Sequence, residues 1–194
     1  MKDAFSTAMA AIVDGDAATL SAVLAAAPGV VERRTTEEVF IQAIVHQLYA
    51  GDTLLHAAAA GFRTDMVEAL LARGADVHAR NRRGATALHY AADTNHDDAD
   101  AQAATIGVLL QAGADADARD KSGTAPLHRA VRTRGVSAVR ALLAGGADAT
   151  LANGSGSSPL ELAHMTTGRG GTGLPRAKAA QAEIVALLTA ALAR

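Results

Sequence analysis

Three histidines, His56, His89 and His128, are the side chains that first suggest chemistry, because imidazoles bind metals and transfer protons. Each stands at the end of a six-residue phrase that begins with glycine and reads Gly-Asp-Thr-Leu-Leu-His in its first copy. If the phrases begin successive packed helices, neighbouring imidazoles lie about 10 Å apart. A zinc ion holds its nitrogen ligands at about 2 Å, so this spacing excludes one shared metal. We expect structural histidines and no bound metal or cofactor.

The acidic stretch from residue 93 to 100 is a second candidate site, because carboxylate oxygens bind hard cations. Its ionisable members are Asp93, His96, Asp97, Asp98 and Asp100. The stretch lacks the ligand spacing and the glycine of an EF-hand loop. A solvated, charged loop is therefore the favoured interpretation.

The glycine-rich run at 168–173 matches the dinucleotide fingerprint Gly-x-Gly-x-x-Gly. A dinucleotide site needs this run between a strand and a helix, with an acidic residue about 20 positions later. Here a helical pattern precedes the run, and position 193 is Ala193. Binding of a small anion or nucleotide by the loop's N–H groups and nearby cations stays open as an alternative. The residues of this alternative are Arg169, Gly170, Gly171 and Arg176.

Sequence motifs that are typical of enzymes are missing. The chain has no Gly-x-Ser-x-Gly elbow, no His-Glu-x-x-His and no Walker-type phosphate loop. It has no cysteine, which excludes disulfides, cysteine-zinc sites and a cysteine nucleophile. We predict that the protein is not an enzyme.

Composition limits the classes of partner. The 194 residues are 49% hydrophobic and 3% aromatic, with a formal net charge of −2. This charge disfavours bulk attraction to nucleic acid or membrane, and few aromatic rings are present to stack on bases. We find neither an apolar run of about 18 residues that could span a membrane nor a secretory signal pattern. We therefore expect a cytoplasmic protein, and the alanine-rich composition suggests a bacterial source.

Internal repeats define the elements that would position these residues. The leading glycines of the histidine phrase, with a decayed copy at Gly156, are separated by 33, 39 and 33 residues. A second phrase with the pattern Leu-Leu-x-x-Gly-Ala-Asp ends at residues 76, 115 and 148, in step with the first. A fixed period near 33 residues is typical of solenoids that stack one supersecondary unit.

The two phrases resemble the ankyrin repeat, whose pattern is Gly-x-Thr-Pro-Leu-His-x-Ala-Ala, then a second helix, then Leu-Leu-x-x-Gly-Ala-Asp. The match is strong from residue 51 to about residue 165. The resemblance implies an all-α solenoid of stacked helix-turn-helix units with hairpin-like fingers. It implies that each histidine bonds backbone groups of its own and neighbouring turns, and that the protein binds other proteins.

We divide the chain into one ankyrin-repeat domain with successive parts. An N-terminal capping helix pair is expected at 1–29, and an inserted apolar helix at 30–50 that starts at a Thr35–Glu38 capping box. Full repeats are expected at 51–83, 84–122 and 123–155, followed by a C-terminal capping repeat with a glycine-rich insertion at 156–194. Six extra residues in the 84–122 repeat are assigned to an enlarged loop between its helices.

The resemblance also implies a concave surface made of the fingers and of exposed positions on the first helices. The residues that fall there are mostly basic: His78, Arg80, Arg82, Arg83, Tyr90, Arg119, Lys121, Arg129 and Arg132. Clustered positive charge attracts an oppositely charged partner. The sequence therefore predicts a monomeric module that binds an acidic protein surface. Reversing Arg82 and Arg129 to glutamate should weaken that association with little loss of stability.

A further alternative is a structural array that associates with itself. The apolar helix expected near 36–49 would supply the contact, because so much exposed apolar surface favours association.

Overall fold

The computed structural model describes residues 3–41, 46–93, 98–165 and 175–193, and side chains are described outside 39–46. Within these ranges the chain forms successive helix pairs. The helices are α1 (Ala4–Asp14), α2 (Ala17–Ala26), α3 (Leu54–Ala60), α4 (Thr64–Ala72), α5 (Ala87–Ala92), α6 (Ala99–Gln111), α7 (Pro126–Arg132), α8 (Val136–Ala144), α9 (Pro159–His164) and α10 (Pro175–Leu192).

The helix pairs stack in two layers. The first helices of the pairs (α1, α3, α5, α7 and α9) contact one another in sequence, and so do the second helices (α2, α4, α6, α8 and α10). The segment between a second helix and the next first helix is here called a finger, and the four fingers span 27–53, 73–86, 112–125 and 145–158. This arrangement confirms the predicted all-α solenoid.

Small side chains allow the first helices to lie close together. Every residue of α3 and of α5 is buried, including the four alanines at 57–60, which are 0% exposed. The larger side chains of the core are mainly leucines and isoleucines. Close packing of short aliphatic groups gives interior density without many rings, which explains how a chain with so few aromatic residues builds a core.

The prediction of a helix within 30–50 is wrong. A 3-10 helix covers Pro28–Glu32, and strands β1 (Val39–Ile41) and β2 (His46–Leu48) form an antiparallel pair with Val39 opposite Leu48. A short apolar run rich in β-branched and aromatic residues fits a strand as well as a helix. Thr35 does not cap a helix, since its hydroxyl donates to the Tyr49 carbonyl oxygen at 2.6 Å.

The strand pair is an insertion in the tip of the first finger. In the second finger, the Asn81 N–H donates to the Ala85 carbonyl at 3.0 Å, and the Gly84 N–H donates to the Asn81 carbonyl at 2.9 Å. The first finger repeats both bonds, from the Thr35 N–H to the Asp52 carbonyl at 2.7 Å and from the Gly51 N–H to the Thr35 carbonyl at 2.8 Å. Two residues separate Asn81 from Gly84, whereas 15 separate Thr35 from Gly51. The first tip therefore holds 13 extra residues, here called the tip hairpin.

The six extra residues of the 84–122 repeat only partly enlarge a loop. Helix α6 has 13 residues, whereas α4 and α8 have nine each, so four of the six lengthen α6. The carboxylate of Asp98 accepts the Ala101 N–H at 3.0 Å and so caps the longer helix at its start. Asp98 and Asp100 therefore belong to the start of a helix, not to a loop.

None of the helices in the described ranges has the length and apolarity needed to cross a bilayer.

Candidate partner-binding surface

Two of the repeated histidines, His56 and His89, connect one unit to the next. Nδ1 of His56 accepts the Thr53 N–H at 3.2 Å, and its Nε2 lies 3.1 Å from the carbonyl oxygen of Ala85 in the next finger. His89 repeats the arrangement with the Thr86 N–H at 3.1 Å and the Thr124 carbonyl at 3.0 Å. A carbonyl can only accept, so these partners assign the proton to Nε2 of a neutral ring. His56 and His89 are structural, as the resemblance implies. Nδ1 of His128 accepts the Ala125 N–H at 3.2 Å, whereas its buried Nε2 has no hydrogen-bond partner among the described residues.

Burial disfavours the charged form of His89 and of His128. It lowers the pKa of His89 to about 4, with the charge of Arg129 acting in the same direction. Burial likewise lowers the pKa of His128. The residues that the structure describes contain no group of three or more potential metal ligands. His96 and Asp97 of the acidic stretch lie outside those residues.

The last unit has Glu161 in place of the histidine. The Ser158 N–H donates to Oε2 of Glu161 at 2.7 Å, so the carboxylate makes the capping bond that Nδ1 makes elsewhere. These bonds from Ser158 lower the pKa of Glu161. In the described part of the chain, α9 is the first helix of the last pair. No finger follows that pair there, so no carbonyl is offered to a second ring nitrogen. A carboxylate caps this helix without leaving a ring N–H unpaired.

Tyr90 is not on the surface, so its assignment to direct partner contact is wrong. Its side chain is 0% exposed, and its hydroxyl donates to Oδ2 of Asp52 at 2.6 Å. Nδ2 of Asn81, in the second finger, donates to the tyrosine oxygen at 3.0 Å. The ring also meets the edge of His56, with centroids 5.3 Å apart. Tyr90 holds two units together.

The assignment of Arg129 as an exposed contact residue is also wrong. It occupies the position in its repeat that Tyr90 has in the preceding one, and its side chain is only 12% exposed. Its guanidinium pairs with Asp93 at 3.1 Å and with Asp120 at 3.2 Å. Arg129→Glu would bring a third carboxylate into this cluster, so we now expect that substitution to lower stability.

Two arginines brace neighbouring fingers through backbone carbonyls. Nη1 of Arg34 donates to the carbonyls of Gly51 at 3.1 Å and Arg80 at 2.9 Å. Nη1 of Arg80 repeats this with the carbonyls of Gly84 at 2.9 Å and Arg119 at 2.6 Å. Arg80, expected to contact a partner, therefore has one guanidinium nitrogen fixed within the scaffold.

The remaining basic residues project from the fingers or lie beside them. The side chain of Arg82 is 65% exposed and pairs with Glu38 of the tip hairpin. The guanidinium of Arg83 lies 4.1 Å from the ring centroid of Tyr49, a cation–π contact. Four more of the expected contact residues are exposed. They are His78, Arg119, Lys121 and Arg132.

The residues proposed to hold an anion are only partly within the described chain. Arg169, Gly170 and Gly171 lie outside it. Arg176 lies in the first turn of α10 and is exposed.

Sequence reasoning missed Asp52, Asn81 and Arg34, which hold the fingers together. A signal for Asp52 was present, because later copies of the phrase place Ala85 and Thr124 at that position. A carboxyl there, fully buried, needs donors, and it receives them from Asn81 at 2.9 Å and from the Tyr49 N–H at 2.6 Å.

The structure is a rigid repeat scaffold. Its helix pairs stack, its fingers are joined by arginines, and His56 and His89 bond to the next finger. Family models agree: ankyrin repeats (3 copies) match residues 8–101, ankyrin repeats (many copies) match 109–163, and a single ankyrin repeat matches 83–121. The chain belongs to the ankyrin repeat family. Members of this family generally mediate protein–protein interaction and are typically non-catalytic. A search of curated proteins found no match to the chain.

Proposed function

We propose that this protein binds an acidic segment of another protein through its finger tips. The surface in question, here called the finger-tip row, consists of Arg82, Arg83, Arg119 and Lys121. His78 and Arg132 are also exposed but do not belong to the row. The proposal differs from the expectation based on sequence, because Tyr90 and Arg129 are engaged inside the scaffold and do not contribute contacts.

The main observation behind the proposal is a series of backbone hydrogen bonds that joins neighbouring finger tips. The Arg82 N–H donates to the Ala50 carbonyl at 2.8 Å, and the Lys121 N–H donates to the Arg83 carbonyl at 2.9 Å. Each tip is thus fixed to the tip before it. Side chains that project from a rigid row lose little backbone entropy on binding.

Charge supports an acidic partner. The row contains four cations, whereas the chain as a whole has a net charge of −2. Within the described residues, Glu38 is the carboxylate that pairs directly with the row. A segment with carboxylates spaced along it would meet the other cations, and the attraction would raise the association rate.

The test compares two double variants with equal changes of charge. Arg82→Glu with Lys121→Glu reverses the row, and Arg73→Glu with Lys178→Glu reverses exposed cations beside α4 and on α10. Tagged proteins would be used to recover partners from a lysate of the source organism. We expect a protein recovered by the wild type and the control pair to be lost with the row variant.

The recovered partner would then be bound to both variants in purified form at low and high salt. A row-specific loss that shrinks as salt rises supports the proposal, because salt screens exposed charges. Equal binding by the row variant and the wild type would overturn it.

A further inference from the structure

A small cavity opens between α7, α9 and α10, on a different part of the molecule from the finger-tip row. Its volume is about 110 Å³. Its apolar wall includes Val131, Leu162 and Ile184, and its polar wall includes Arg132, Arg134 and Gln181. The Gln181 amide donates to the Ala163 carbonyl at 2.8 Å, which fixes that side of the wall.

Arg134 is the unusual member of this wall. Its backbone is in the left-handed region, with φ of 59°, which costs energy for a residue with a side chain. Its Nη1 is shielded from solvent and has no hydrogen-bond partner among the described residues. Buried donors without partners are rare in folded proteins.

The same turn of an earlier unit shows that the position does not require a cation. Phe62 occupies the equivalent left-handed position after α3, with φ of 52°, and is only 5% exposed. An aromatic side chain is therefore accommodated in that unit. In the later unit, two guanidiniums line a cavity instead, and no aspartate or glutamate is among its described lining residues.

We propose that this cavity binds a carboxylate attached to a short branched aliphatic group. A cavity of about 110 Å³ has room for a short branched aliphatic group. The aliphatic group would contact Val131, Leu162 and Ile184. The carboxylate would pair with the guanidiniums of Arg134 and Arg132, which both line the cavity. Either a free short-chain acid or the C-terminal leucine of a peptide has this chemistry.

The probe is 3-methylbutanoate, titrated into the full chain by calorimetry. We expect saturable binding that weakens about tenfold or more for the neutral 3-methylbutanamide, because the charged hydrogen bonds are lost. A peptide ending in leucine, with a free or an amidated terminus, distinguishes the sources. Tighter binding of the free-terminus peptide than of the acid indicates a chain terminus, and the reverse order indicates a metabolite.

Two variants at Arg134 separate binding from folding. Arg134→Met removes the guanidinium and keeps a long side chain, and Arg134→Gly also removes the left-handed strain. Both should lose binding about tenfold or more, although the glycine variant should melt no lower than the wild type. Arg140→Met, on α8 and outside the cavity wall, is the matched control and should bind like the wild type. Binding retained by both Arg134 variants, or no binding by the wild type, would overturn the proposal.

Discussion

The Tyr90 hydroxyl donates to Oδ2 of Asp52 at 2.6 Å, across the boundary between two consecutive repeats. Nδ2 of Asn81 donates both to Oδ1 of Asp52 at 2.9 Å and to the tyrosine oxygen at 3.0 Å. All three residues are buried. Burial, reinforced by Asp52, raises the pKa of Tyr90 well above its ordinary value, so the phenol stays protonated and remains a donor.

Tyr90→Phe should lower the free energy of unfolding by about 2 kcal/mol, because Asp52 loses a donor in a site without access to water. Urea unfolding would measure this loss. Tyr49→Phe is the control, since the contacts of Tyr49 described above use its ring and its backbone. If the two variants were equally stable, the Tyr90–Asp52 bond would not hold the repeats together.

The buried ion cluster offers a second test. Arg129→Met keeps the length of the side chain but leaves Asp93 and Asp120 without their shared cation. We expect a loss of about 3 kcal/mol in unfolding free energy, as for other buried pairs that lose one partner. Arg132→Met, on the same helix but exposed, should change stability by at most about 0.5 kcal/mol. Equal losses in the two variants would contradict the assigned role of Arg129.

The sequence predicted the repeat architecture because each unit depends on local signals that recur. The glycine and histidine phrases place a turn and a helix start in every copy, and stacking then follows from their period. The single change to Glu161 is also explicable once the capping bond is seen, since a carboxylate can make the bond that Nδ1 makes elsewhere.

The exposure of individual side chains could not be predicted in the same way. Tyr90 and Arg129 stand at a position that the family pattern leaves exposed, and their burial depends on polar partners in the preceding repeat. Asp52 supplies one partner from 38 residues before Tyr90, and Asn81 and Asp120 each supply one from nine residues away. The tip hairpin was mistaken for a helix because a short apolar run has no decisive period.

The buried histidines predict how stability depends on pH. The pKa of His89 is about 4 in the folded chain, against an ordinary value of 6.5. Between these values the unfolded chain binds more protons, so stability falls as the pH falls from 6.5 towards 4. His89 alone should remove about 3 kcal/mol across this window, and His128 acts in the same direction.

Urea unfolding at several pH values would measure this dependence. His89→Gln should be less stable at neutral pH but should lose less stability on acidification, because one titrating group is gone. His78→Gln changes an exposed ring and should keep the wild-type dependence. An unchanged pH profile in His89→Gln would refute the assignment to His89.

The contact between the third and fourth fingers depends on glycine. A Cβ at Gly154 would overlap the Ser122 carbonyl oxygen, and a Cβ at Gly123 would lie 2.6 Å from the Gly154 nitrogen. Gly154→Ala should therefore separate the two tips and lower the unfolding free energy by about 1–3 kcal/mol. Thermal unfolding and hydrogen exchange of the 145–158 finger would measure this.

Gly107→Ala is the matched control for Gly154→Ala. It lies inside α6, and an added Cβ would meet no heavy atom within 4 Å beyond the helix itself among the described residues. Gly107→Ala should raise stability by about 0.5–1 kcal/mol, because alanine favours the helix. The two alanine substitutions should thus have opposite signs, and a stabilising Gly154→Ala would mean that the fingers do not pack as closely as described.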